Sequence, residues 1–70
     1  MKVVVGTNCM PCKMLKEWLK DHNSNIEQVV AEDNMDMVEQ LGVKSLPTLV
    51  LDDNTLVKGF ENIVEYLEGE

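Results

Sequence analysis

Apolar and polar positions fall along this chain in blocks of two kinds, and each block predicts one element. Lys2-Val3-Val4-Val5 is short and nearly continuous in apolar side chains, the pattern of a strand covered on both faces. Gly6-Thr7-Asn8 breaks it. From Met10 to about Lys20 the apolar residues Met14, Leu15, Trp18 and Leu19 recur at helical spacing, while Lys13, Lys16, Glu17 and Lys20 fall elsewhere on the wheel. Pro11 suits the first turn of that helix, where a missing N–H costs nothing. The turn formers Asp21-His22-Asn23-Ser24-Asn25 end it.

Ile26 to Ala31 predicts a second strand. Asp33 or Asn34 can then cap a short helix carrying Met37, Val38 and Leu41 on one side, with Gly42 as its stop. Leu46-Pro47-Thr48-Leu49-Val50-Leu51 predicts a third strand that begins on a proline, where the ladder has not yet started. Asp52-Asp53-Asn54 is a tight polar turn into Thr55-Leu56-Val57-Lys58, so these two runs form a hairpin. Phe60, Ile63, Val64 and Leu67 space a last amphipathic helix that ends near Gly69. The order is β-α-β-α-β-β-α. A helix joins the first two strands, which makes them parallel, and the last two are antiparallel. The expectation is an α/β fold of minimal size: one domain over residues 1–70, a four-stranded mixed sheet, and helices on both faces.

Length sharpens this picture. A chain of 70 residues buries only about 60% of the surface its unfolded form exposes, so its stability margin is thin. Small domains often lean on disulfides, yet the two cysteines here, Cys9 and Cys12, would close a loop too small to constrain the unfolded chain. A secreted scaffold needs several cysteines spread along the chain. Met1 to Gly6 carries one positive side chain and an apolar run too short for a signal peptide, and no stretch approaches membrane-spanning length. A reducing, cytoplasmic setting is expected, without membrane association. Thirteen acidic residues against six lysines, with no arginine, give a net charge of -7. That balance argues against nucleic acid and reads as solubility.

The chemistry concentrates in Cys9-Met10-Pro11-Cys12, at the junction of a buried strand and an amphipathic helix. The free N–H groups and positive dipole end of a helix stabilise an anion at its first residues, so a thiolate there has a lowered pKa. Cys9 is the candidate exposed nucleophile. Cys12, one turn deeper, is close enough to form a disulfide with it and to resolve a mixed disulfide. Lys13 could add positive potential beside the pair. The competing reading is a metal or iron–sulfur module. Two thiolates leave tetrahedral zinc short of ligands, and a cluster usually takes four, which would call for a dimer. The lone histidine, His22, sits a helix length away. Redox exchange is the better account; it calls for no cofactor and no metal ligand, and a monomer is expected.

These residues resemble the thioredoxin-fold small redoxins, glutaredoxin-like and NrdH-redoxin-like, over nearly the whole chain. The resemblance rests on the apolar strand, Cys9-x-Pro11-Cys12, the following helix, and Leu46-Pro47-Thr48 before a hairpin. It implies a cis Leu46–Pro47 bond beside the cysteines and a substrate-contacting set of Met10, Pro11, Leu46, Pro47 and Gly59. Backbone groups of Leu46 would pair with an extended substrate segment. Asn8 stands where thioredoxins carry a tryptophan, and Val3 about where they carry a buried acid. Lys58-Gly59-Phe60-Glu61-Asn62 stands where glutaredoxins hold glutathione with a Gly-Gly pair and an Asp. Gly59-Phe60 is instead similar to redoxins reduced by thioredoxin reductase that donate electrons to ribonucleotide reductase. The partners implied are a disulfide-containing protein and a recycling reductase such as thioredoxin reductase, or glutathione.

Overall fold

Three consecutive valines with both faces covered can only sit in the interior of a sheet, and that is where they lie. The computed structural model describes residues 1–22 and 26–69. Its elements are β1 (Lys2–Val5), α1 (Met10–Asp21), β2 (Glu27–Val30), a 3-10 turn (Ala31–Asp33), α2 (Met35–Leu41), β3 (Thr48–Val50), β4 (Leu56–Lys58) and α3 (Phe60–Glu68). The sheet order is β2-β1-β3-β4. β1 pairs parallel with β2, from Lys2 opposite Glu27 to Val5 opposite Val30, and antiparallel with β3. β3 and β4 form the predicted antiparallel hairpin. The predicted α/β architecture, a four-stranded mixed sheet with three helices, is the one observed. Among the described residues, no helix is long and apolar enough to cross a membrane.

The alternation of side chains along β1 divides the core in two. Val3 and Val5 join Cys12, Leu15, Leu19, Leu49 and Ile63, which packs α1 and α3 against one face. Val4 joins Ala31, Val43 and Val50 on the other face, with Val38 and Leu41 of α2 against it. Leu15, Leu49 and Ile63 are fully buried, and each such side chain contributes roughly 1.5–3 kcal/mol relative to exposure. α2 contributes no fully buried residue of its own, so the second face is the thinner one.

Several element edges differ from expectation. The second strand is shorter than Ile26–Ala31. Its C-terminal end bends into the 3-10 turn, where the Asn34 side-chain amide donates to the Val30 carbonyl at 2.9 Å. Asn34 does occupy the N-cap of α2, but its side chain is spent on that bond and makes no cap to the helix. Gly42 ends α2 at φ 75°, as a left-handed stop. The third strand begins at Thr48 rather than Leu46, because Pro47 has no N–H to give a ladder; the Thr48 hydroxyl donates to the Ser45 carbonyl at 2.6 Å and closes the corner. In the hairpin, Leu51 and Thr55 close the turn at 2.9 Å, with Asn54 at φ 68°. Asn23, Ser24 and Asn25 of the predicted helix-ending turn lie outside the described residues.

The helical stripe of α1 is also narrower than its spacing implies. Leu15 and Leu19 are buried, but Trp18 is only half-buried and Met14 is half exposed. Trp18 stacks on the His22 ring at 4.0 Å between centroids, and a His22 ring nitrogen lies 2.8 Å from the Trp18 carbonyl. His22 is a helix-end residue.

Candidate active site

β1 ends at Val5, and four intervening residues lead into α1, which begins at Met10. Cys9 occupies the N-cap of α1 with extended backbone, φ -134° and ψ 112°, and Pro11 sits in the first turn. Cap position and helix start put the Cys9 sulfur where the free N–H groups converge: the Cys12 N–H donates to it at 3.2 Å. Cys9 and Cys12 are joined as a disulfide, with Cα atoms 5.1 Å apart.

The two sulfurs have different surroundings. Cys12 is fully buried in the α1–α3 core, where the Gly6 N–H approaches its sulfur at 3.4 Å. Cys9 is half-buried, and its sulfur lies 3.8 Å from the Leu46 carbonyl oxygen. The outer sulfur is the accessible one. The Leu46–Pro47 peptide bond is cis, and Pro47 is buried. The Pro47 carbonyl accepts from Gly59 N–H at 3.0 Å, which ties the segment before β3 to the start of α3.

A groove of about 430 Å³ runs beside the pair. Pro11 and Met14 of α1 form one wall, Leu46 and Pro47 the floor, and Gly59 through Asn62 the other wall. It therefore brings together Pro11, Leu46, Pro47 and Gly59. Met10 is not in it. Met10 is 70% exposed and lies on the other side of Cys9, in a depression it shares with Thr7, Asn8 and Lys13. Phe60 has two roles: it packs against the core and lines the groove. Met14, Glu61 and Asn62 also line the groove, beyond the substrate-contacting set that the resemblance implies. Met14 reads as core from its helical spacing, and its half exposure is what marks it as a groove residue. Among the described residues no group of three or more His, Cys, Asp or Glu side chains is placed to hold a metal ion.

The segment between β1 and α1 has a further tie. Glu32, in the 3-10 turn after β2, accepts from the Thr7 N–H at 3.0 Å and from the Thr7 hydroxyl through the same oxygen. The Thr7 hydroxyl, then its N–H, hold the Glu32 carboxyl below the ordinary glutamate range, with a smaller contribution from the charge of Lys16.

Comparison with known proteins gives a consistent result. A family model described as a thioredoxin domain matches residues 1–68. A glutaredoxin-like protein NrdH of Lactococcus lactis subsp. lactis (strain IL1403) is 33% identical over 49 residues, which cover 66% of this chain and 68% of that protein. The glutaredoxin-like protein NrdH of Lactococcus lactis subsp. cremoris (strain MG1363) matches to the same extent. No solved structure matches significantly.

Proposed function

The chain belongs to the thioredoxin-domain family as a small glutaredoxin-like redox protein, and from that premise we propose that it is a thiol–disulfide oxidoreductase that reduces protein disulfides through Cys9 and Cys12. One observation carries the reading: a half-exposed sulfur at a helix N-cap is bonded to a fully buried one directly behind it, beside an apolar groove.

In the reduced protein, the Cys9 thiolate is stabilised by the Cys12 N–H and by the dipole end of α1. It attacks one sulfur of a substrate disulfide. The Cys9–substrate bond forms, and the other substrate sulfur leaves as a thiolate that takes a proton from water. Cys12 loses its proton and attacks Cys9, so the mixed disulfide breaks and the second substrate sulfur leaves. Two electrons pass from the Cys9–Cys12 dithiol to the substrate, and the protein is left as the disulfide. Burial of Cys12 restricts it to this resolving step, since no outside disulfide can reach it.

The groove supports an extended polypeptide as substrate. Its floor is Leu46 and Pro47, with the Leu46 carbonyl close to the Cys9 sulfur, and its apolar walls fit side chains flanking a cysteine. Lys58-Gly59-Phe60-Glu61-Asn62 lacks the Gly-Gly pair and the Asp with which glutaredoxins hold glutathione, so recycling by thioredoxin reductase is the better fit. A ribonucleotide reductase disulfide is one candidate substrate, and the cytoplasm the expected setting. The test is reduction of insulin by NADPH with thioredoxin reductase, and separately by NADPH with glutathione and its reductase. Turnover with the first alone is expected. Turnover with glutathione alone would reassign the recycling partner, and activity with neither would overturn the reading.

A further inference from the structure

The parallel pairing of β1 with β2 has a fixed offset, Lys2 with Glu27 through Val5 with Val30. Thr7 and Glu32 have the same sequence separation of 25. The register of the two strands thus continues past the point where both have ended, with a side chain in place of the ladder. Backbone pairing is lost because the chain after Val30 coils into the 3-10 turn. Glu32 reaches back from that turn and takes both donors of Thr7 on one oxygen, Oε2.

The other oxygen also has a defined place. A methyl group placed on Gly6 would lie 3.8 Å from Glu32 Oε1, 3.6 Å from Cys9 Cβ and 2.9 Å from Leu46 Cδ1. Glu32, Cys9 and Leu46 therefore converge on the bare face of one glycine. The carboxylate is a neighbour of the nucleophile although it touches neither sulfur.

We propose that Glu32 is a positioning residue for the redox loop: by holding both donors of Thr7 it fixes the turn that delivers Cys9 to the head of α1. This rests on Cys9 being the attacking thiol. Its charge has a second effect. A carboxylate near a thiol disfavours the thiolate, so Glu32 partly opposes the helix end. Lys16 from α1 acts on the Glu32 charge and offsets part of it, and Asp33 of its own turn and Asp36 of α2 line the same depression.

The experiment compares native protein with Glu32→Ala and Glu32→Gln, using insulin reduction, the pH profile of Cys9 alkylation in the reduced protein, and melting temperature. Gln keeps a carbonyl oxygen for Thr7 and loses the charge; Ala loses both. Ala is expected to slow reduction roughly tenfold, as a displaced nucleophile does, with a melting temperature within about two degrees of native. Gln is expected to restore the rate to within about threefold and to move the alkylation midpoint down by roughly half a pH unit. Ala matching native, Gln as slow as Ala, or a rate loss that follows a falling melting temperature would each overturn the assignment. If native Cys9 forms no thiolate near neutral pH, the nucleophile reading fails first and the role of Glu32 with it. Native-like Cys9 chemistry with indifferent Glu32 variants removes only the latter.

Discussion

The backbone N–H of Cys12 points at the sulfur of Cys9 across 3.2 Å, so the proposed resolving residue also stabilises the proposed nucleophile. Helix geometry makes this automatic, because an N-cap side chain accepts from the N–H three residues on. Changing either cysteine therefore separates the two roles. Cys9→Ser should abolish disulfide reduction. Cys12→Ser should keep the first exchange and stall as a mixed disulfide with substrate, detectable by mass. Equal loss in both variants with no trapped adduct would contradict the assignment.

Gly6 is buried, and a β-carbon on it would meet Leu46 Cδ1 at 2.9 Å while the Cys9 Cβ stays at an ordinary 3.6 Å. The clash is with the far end of a side chain, so Leu46 can turn away. Gly6→Ala should cost only about 1–3 kcal/mol by overpacking. Leu46 is also the floor of the groove, and insulin reduction should fall several-fold more than urea unfolding implies.

Gly42 and Gly59 test backbone against space. Both have positive φ, 75° and 90°, and a β-carbon on either meets nothing within 4 Å. Gly42→Ala should therefore destabilise by about 1 kcal/mol through the left-handed cap alone. Its effect on activity should be nil. Gly59→Ala should cost more, because φ 90° with ψ 151° is a region essentially open to glycine alone, and it should also slow reduction, because Gly59 lines the groove. Urea midpoints set beside insulin rates distinguish the two.

Leu49 lies at the middle of β3, fully buried between α1 and α3. Leu49→Ala should destabilise by about 2–5 kcal/mol. In a domain this small that is a large share of the total, and denaturant unfolding should show it as a lower midpoint with an unchanged slope.

Two carboxyls titrate below their ordinary range: Glu32 through the Thr7 hydroxyl and N–H, and Asp53 through the Thr55 side chain and N–H. A depressed folded pKa stabilises the fold at pH above the unfolded value, about 4 for these groups. That contribution is lost as pH falls through the folded values. Both carboxyls are exposed, so the effect on global stability is small. The Thr7 and Thr55 amide resonances should titrate with these carboxyls, with midpoints below the ordinary range. A midpoint at or above that range would remove the claimed hydrogen bonding.

How much of this could be read from the chain depends on where the information sits. Val3-Val4-Val5 declares a doubly covered strand because no polar residue interrupts it. The Cys9–Cys12 site is legible for a similar reason, since a strand end, a Gly-Thr-Asn break and an early Pro mark a helix start. Ala31 reads as strand because an apolar residue at a strand end looks the same whether the chain continues or coils; the deciding bond, Asn34 to Val30, is tertiary in kind though local in sequence. Met14 reads as core because spacing gives the face of a helix but not how far the sheet extends beneath it. The Thr7–Glu32 tie is further out of reach, since it depends on the register of two strands before any side chain can be placed.

Of the two central strands, β1 precedes both of its neighbours, β2 and β3, along the chain. β1 cannot complete its ladders until β2 and then β3 have been made, so most of the chain must exist before its centre does. Long-range pairing of this kind slows folding relative to a helical bundle of equal size. The consequence falls on the cysteines, which hang directly from β1. An incomplete chain already carries both thiols, yet has no buried Cys12, no Leu46 beside Cys9 and no groove. The proposed exchange activity should thus arrive late and all together, with recovery of insulin reduction after dilution from denaturant reporting the closing of the sheet.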